Sequence, residues 1–227
     1  MLDIALYVIF PYTALGIAVL VGVYRYFSDR YSFTSLSSQF LETRKLFWGS
    51  VPWHYGVVIV LTAHLLALLV PGLWAILVGE QVRLYVLELT GWALALGTIF
   101  GLTVLIVRRL TTPRALAVTS WIDWLLLADL LLQVALGFIV AFFYRWGSLW
   151  YLHTAVPWLI SLATFNPQTQ FVTVLPPLVQ LHFLNGFVLF LIFPFTRLVH
   201  LVTFPITYWW RPYQLVIWNR RDKKAAR

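Results

Sequence analysis

The chain of 227 residues is 61% hydrophobic and only 11% charged, and its mean hydropathy of +0.84 exceeds what a soluble domain of this size keeps in solution. A net charge of +8 would suit nucleic acid, but the basic residues stand at the ends of apolar runs and form no stripe on a folded face, which excludes a nucleic-acid partner and makes lipid the solvent. Cysteine is absent, excluding disulfides, thiolate metal sites, iron–sulfur ligation and covalent c-type haem attachment by this chain.

The first apolar run, near 4–26, follows Asp3 and precedes Arg25 and Arg30. It lacks the small-residue cleavage site of a signal peptide and is expected to remain as a helix. The connector 28–50 mixes polar SLSSQ with Phe33, Leu36, Phe40 and Leu41, predicting a surface helix that docks to a cytoplasmic partner. Further apolar runs follow near 51–72, 84–107, 121–143 and 178–204. Each reaches the roughly 20 residues that cross about 30 Å of hydrocarbon at about 1.5 Å per residue. Between the last two, the segment 145–177 carries Pro157, Pro167 and the stretch TAVPWLISLATF. It is too short and broken to span and predicts an external interfacial helix or loop. The chain therefore reads as an all-α membrane protein, a single domain over 1–227 built as a five-transmembrane-helix bundle; continuous apolar runs without a period of two argue against a barrel.

Charge bias orients the bundle. Arg25, Arg30, Arg44 and Lys45, then Arg108, Arg109 and Arg114, then Arg211, Arg220, Arg221, Lys223, Lys224 and Arg227 alternate onto one side, leaving Arg83 and Arg145 on the other. The positive-inside rule then predicts an N-terminus outside and a cytoplasmic C-terminus. Trp48, Trp53, Trp74, Trp121, Trp124, Tyr144, Trp146, Trp150, Tyr208, Trp209 and Trp210 gather near the run ends, as interfacial belts do.

The histidines carry the chemistry. His54 and His64 lie on the second run, His182 and His200 on the fifth, and His153 in the outer connector, where it reads as an interfacial side chain. The two helices run in opposite directions, so depth pairs His54 with His200 near the cytoplasm and His64 with His182 near the outside. A bis-histidine b haem takes one imidazole from each of two facing helices, so the four supply two such sites. Eighteen residues return His200 to the face of His182, whereas ten leave His64 about 80° from His54, and the climbs of about 27 and 15 Å are unequal. Tilt, crossing or a bend at Pro194, between His182 and His200, has to absorb the difference. The competing reading makes the four histidines core polar groups or the lining of a proton path; matched depths on antiparallel helices favour haem.

The segments WHYGVVIVLTAHLLALL at 53–69, LHFLNGFVLFLIFPFTRLVHLVTFPITY at 181–208, SSQFLETRK at 37–45, RRLTTPR at 108–114 and RPYQLV at 211–216 resemble the gamma subunit of membrane-bound respiratory nitrate reductase. The FPFTRLVH element and both histidine spacings are its most specific parts. The resemblance implies a dihaem cytochrome b of the bacterial or archaeal cytoplasmic membrane that oxidises quinol, menaquinol or ubiquinol, at the outer side. It implies two haem b groups, the inner one facing an iron–sulfur beta subunit that serves a molybdenum-containing alpha subunit, where nitrate is reduced.

The chain departs from the family where a lysine follows the second helix, since no lysine occurs between Lys45 and Lys223. Arg83 and Glu88 are the nearest candidates for the quinol site, as hydrogen-bond donor or proton acceptor, against plainer roles as a snorkelling base and a solvated acid. Arg197, one turn before His200, is a candidate partner for a haem propionate, as are Arg108, Arg109 and Arg114. Asp123 suits a helix N-terminus, and Asp129 is an intramembrane acid without an assigned role. Two rivals remain: a dihaem subunit of the same fold serving another reductase, and a haem-free proton-coupled transporter. Against the latter stands the lack of internal repeats and of paired broken helices.

Overall fold

The computed structural model describes residues 1–202 and Trp210. The end of the fifth run, Tyr208 and Trp209, the RPYQLV segment and the basic tail lie outside the described residues. Among those described, five helices are long and apolar enough to cross a membrane.

The first, α1 (Leu2–Ser28), includes a π-helical stretch at Ala5–Ile9. Pro11 lies four residues beyond Tyr7 and has no N–H to offer its carbonyl. The indole N–H of Trp158, a fully buried side chain of the outer connector, donates to that carbonyl instead (3.2 Å). A proline in a spanning helix is thus accommodated by a neighbouring element.

Helix α2 (Arg44–Leu69) begins seven residues before the expected start at 51. Glu42 explains the extension, since its carboxylate accepts the N–H groups of Lys45 (2.8 Å) and Leu46 (3.2 Å), which a first turn otherwise leaves unpaired. It ends at Leu69 because Val70 precedes a proline and leaves helical geometry (φ −132, ψ 61). A short helix, α3 (Pro71–Val78), follows. Helix α4 (Gln81–Thr111) is capped by Glu80, which accepts from the N–H groups of Val82 and Arg83; α5 (Pro113–Ala117) is a single turn. Helix α6 (Trp121–Phe143) has the predicted bounds, set by a reciprocal capping box between Ser120 and Asp123. The outer connector forms three short helices, α7 (Gly147–His153), α8 (Ala155–Ala163) and α9 (Gln170–Thr173).

Two expectations need correction. The fifth run is not one helix over 178–204: α10 covers Pro177–Ile192, and two 3-10 turns follow at Phe193–Phe195 and Arg197–Val202. Pro194 interrupts the donor ladder, and Thr196 is extended (φ −112, ψ 178), so the anticipated bend is a break. Nor does the connector 28–50 form a surface helix before α2. It holds two short 3-10 turns, Arg30–Ser32 and Gln39–Leu41, because buried Arg108 of α4 binds its backbone. That guanidinium donates to the carbonyls of Ser38 and Glu42 (both 2.9 Å), to Ser38 Oγ (2.9 Å) and to Glu42 Oε2 (2.8 Å).

The spanning helices neighbour one another in the sequence α2–α4–α6–α10–α1. Helices α2 and α4 approach most closely, where a Cβ on Gly101 would meet the backbone of Gly49 and Trp53; glycine at that crossing lets the two backbones touch. Helix α2, which carries His54 and His64, and helix α10, which carries His182 and leads to the turn with His200, are joined through α4 and α6 and do not pack against each other along their lengths.

Candidate functional site

His54 and His200 are brought together across that separation, with ring centroids 6.5 Å apart and planes at 64°. The break after Pro194 makes this possible, because a straight helix would carry His200 further along the bundle axis than His54 lies. At that separation the two imidazoles could hold one metal centre between them.

Three of the four rings are oriented through Nδ1. His54 Nδ1–H donates to the Ser50 carbonyl (2.7 Å), with Ser50 Oγ also close (3.0 Å). His64 Nδ1–H donates to the Val60 carbonyl (2.8 Å), and His200 Nδ1–H to that of Arg197. A carbonyl only accepts, so these bonds place the proton on Nδ1 and the lone pair on Nε2, the arrangement of metal-ligating histidines.

The His64 ring meets Tyr151 of α7 edge-on (centroids 5.6 Å). His182 reaches toward α6, where a Cβ on Gly137 would come within 3.0 Å of its Cε1; glycine makes the space for the ring. Its Nδ1 is buried without a hydrogen-bond partner, which sets it apart from the other three.

This donor set fits haem better than a bare ion. Among the described residues no three His, Asp or Glu side chains converge, so a free transition metal would be short of ligands. The His54/His200 pair, with both Nε2 lone pairs fixed, would instead suit the iron of a haem.

The remaining candidates are spread around these pairs. Arg83 caps the C-terminus of α3, donating to the carbonyls of Leu77 (3.0 Å) and Ile76 (3.1 Å). Glu88 is buried and accepts from the Trp146 N–H (2.8 Å) and from Arg145 (3.4 Å). Trp146 has φ 66, in the left-handed region, and Glu88 pins that turn. Arg197 forms a two-pronged ion pair with Asp123 and also donates to the carbonyls of Val118 (3.0 Å) and Leu36 (2.9 Å). Of the other cations considered, Arg108 is engaged with Glu42 and Ser38 and Arg109 with Thr119 (3.0 Å). Asp129 is buried in α6, and His153 is exposed on α7.

Tyr151 escaped sequence reasoning, because it sits in a connector with no periodic pattern to aim it. Burial pushes the Tyr151 phenol up to about 12, so it remains a neutral donor at ordinary pH.

The profile of the nitrate reductase gamma subunit family matches residues 3–219. The nitrate reductase gamma chain of Bacillus subtilis (strain 168) is 34% identical over 219 residues, covering 94% of this chain and 96% of its own length. The respiratory nitrate reductase 1 gamma chain of Escherichia coli (strain K12) is 32% identical, covering 92% of this chain and 94% of its own. The nitrate reductase-like protein NarX of Mycobacterium tuberculosis (strain H37Rv) is 29% identical over 94% of this chain, which spans 33% of that protein.

Proposed function

The chain belongs to the nitrate reductase gamma subunit family and is a multi-pass membrane subunit of a nitrate reductase; we propose that it oxidises quinol near the outer face and delivers the electrons inward. The receiving partners are an iron–sulfur beta subunit and a molybdenum-containing alpha subunit on the cytoplasmic face of a bacterial cytoplasmic membrane. The N-terminus is then outside and the tail cytoplasmic, as the charge bias requires. The observation that carries this reading is the meeting of His54 and His200 at 6.5 Å, with Nδ1 of each ring held by a carbonyl.

His54 and His200 would hold the inner haem, and His64 and His182 the outer one. Two haems, when bound, would supply one-electron carriers. The Ser50, Val60 and Arg197 carbonyls orient the three imidazoles they bind and prevent the rings from turning. At the outer end, Glu88 and Arg83 are the candidate quinol contacts. Glu88 is anchored on Arg145 and the Trp146 N–H, which leaves its carboxylate as the nearest acid to receive a quinol proton. Arg83 is spent largely on the end of α3, so its influence on quinol is electrostatic. Tyr151, edge-on to His64, presents a neutral O–H on the same side. Protons released outside while electrons move inward store about 2.3 kcal/mol per charge per 100 mV of membrane potential.

A reduced-minus-oxidised optical spectrum of the purified chain tests the reading. Two b-type components are expected, reducible by a quinol analogue; absence of a b-type signal, or a single haem, would overturn it.

A further inference from the structure

The acids of the bundle are not treated alike. Among the described residues Glu42 meets Arg108, Glu88 meets Arg145 and Asp123 meets Arg197. Asp129, on α6, is only 9% exposed, and no ion pair among the described residues includes it. Its Oδ2 is buried without a hydrogen-bond partner. Only one other buried side-chain atom among the described residues shares that condition, His182 Nδ1.

The two orphaned atoms lie on one seam. Asp129, Gln133 and Gly137 are spaced four apart on α6 and so share a face. His182, Asn185 and Gly186 are spaced three and four apart on α10 and meet them. Asn185, 6% exposed, donates across the seam to Gln133 Oε1 (2.9 Å) and to the Asp129 carbonyl (3.4 Å). A Cβ on Gly186 would lie 3.6 Å from Gln133 Nε2, and one on Gly137 would press on the His182 ring, so both glycines keep space beside polar groups. The result is a ladder of polar side chains, Asp129, Asn185, Gln133 and His182, between helices that are otherwise apolar.

A carboxylate in hydrocarbon without a cation is not sustained, whereas the acid form is tolerated if its O–H finds a partner. Unpaired polar atoms beside several further donors and acceptors are where buried water is retained. We propose that the α6–α10 seam is an internal proton-exchange site: water bound by Asp129, Gln133 and Asn185, with Asp129 carrying an exchangeable proton. The exchange balances simply, since the Asp129 carboxylic O–H breaks as a water oxygen takes the proton, and the reverse step restores it. Under the electron-transfer reading above, on which this role rests, the seam lets a proton move inside the bilayer when an electron reaches the His64/His182 side. The water site and its proton do not depend on that reading.

The test is infrared spectroscopy of the purified full chain in H2O and D2O. A protonated carboxylic-acid C=O band is expected at neutral pH, shifting in D2O and absent from Asp129→Asn. Asn185→Leu should keep the band and slow its exchange at least tenfold. Isotope-labelled aspartate assigns the band without substitution should Asp129→Asn fail to assemble. No acid band from Asp129, or a band that never shifts in D2O, overturns the proposal. An optical spectrum of the same sample separates the two readings: an exchanging band without a b-type signal upholds the seam and sinks the electron-transfer role.

Discussion

Arg197 and Asp123 meet through two bonds, Nε to Oδ1 and Nη2 to Oδ2 (2.7 Å for the second), joining the start of α6 to the 3-10 turn that carries His200. The Arg197 carbonyl orients the His200 ring, so the ion pair fixes the acceptor that aims a candidate haem ligand. The two side chains are 15% and 3% exposed. Removing one partner of such a pair costs about 3–5 kcal/mol. Asp123→Ala is expected to lower the melting temperature and to loosen the inner haem before the outer one, seen as loss of one b-type component. Arg197→Lys should not restore it, because an ammonium cannot make the two-pronged contact. Equal retention of both components in Asp123→Ala would refute the positioning role.

Depth pairs the histidines, and haem counting reads that pairing. His64→Ala or His182→Ala should each leave one haem and abolish reduction by quinol. His54→Ala or His200→Ala should leave the outer haem reducible by quinol while stopping electrons there. Unchanged haem content in all four variants would break the assignment.

Acid should loosen the segment before α2. Burial raises the Glu42 carboxyl, but bonds from the Lys45 N–H, the Arg108 guanidinium and the Leu46 N–H outweigh it and hold the group below the usual carboxylate value. A depressed folded value means the stabilisation is present above the unfolded pKa, about 4.3, and is lost as pH falls through the folded value. The group is partly exposed, at 21%, so solvent screening keeps the effect small. Melting temperature should fall below about pH 4.3, and Glu42→Gln should flatten that limb while lowering stability at neutral pH. An identical acid limb in the variant would show that other carboxyls control it.

Tyr151→Phe keeps the ring beside His64 and removes the O–H. Two haems and a near-normal melting temperature are expected, with quinol oxidation slowed several-fold. Tyr151→Ala also loses the edge-on contact, worth about 0.5–1.5 kcal/mol, and should shift the outer haem's potential. An unaltered quinol KM and turnover in Tyr151→Phe would exclude the phenol from the quinol site.

Much of the fold follows from signals within single segments. Five apolar runs predict five helices, and Ser120 with Asp123 sets the start of α6 because a capping box is built from residues three apart. Proline before α3 and α5 ends the preceding helices through local sterics alone. The Nδ1 bonds of His54 and His64 to carbonyls four residues back are also local, since a helix places those groups one turn apart. The family, too, is legible in the chain, through the segments around the histidines and 37–45.

Tertiary structure decided the remainder, because it depends on which faces meet. Asp123 claims Arg197, and Arg108 draws 38–42 onto the end of α4, pairings that connect residues more than sixty positions apart. Pro194 marks a bend in the sequence, but only packing turns it into the break that carries His200 to His54. The sequence leaves Glu88 between a quinol contact and a solvated acid, and only the fold shows the Trp146 N–H bonded to it. The four histidines on two helices are thus a property of the sequence. The meeting of His54 and His200 rests on α4 and α6 holding α2 and α10 in register, since periodicity along one helix carries no information about its rotation against another.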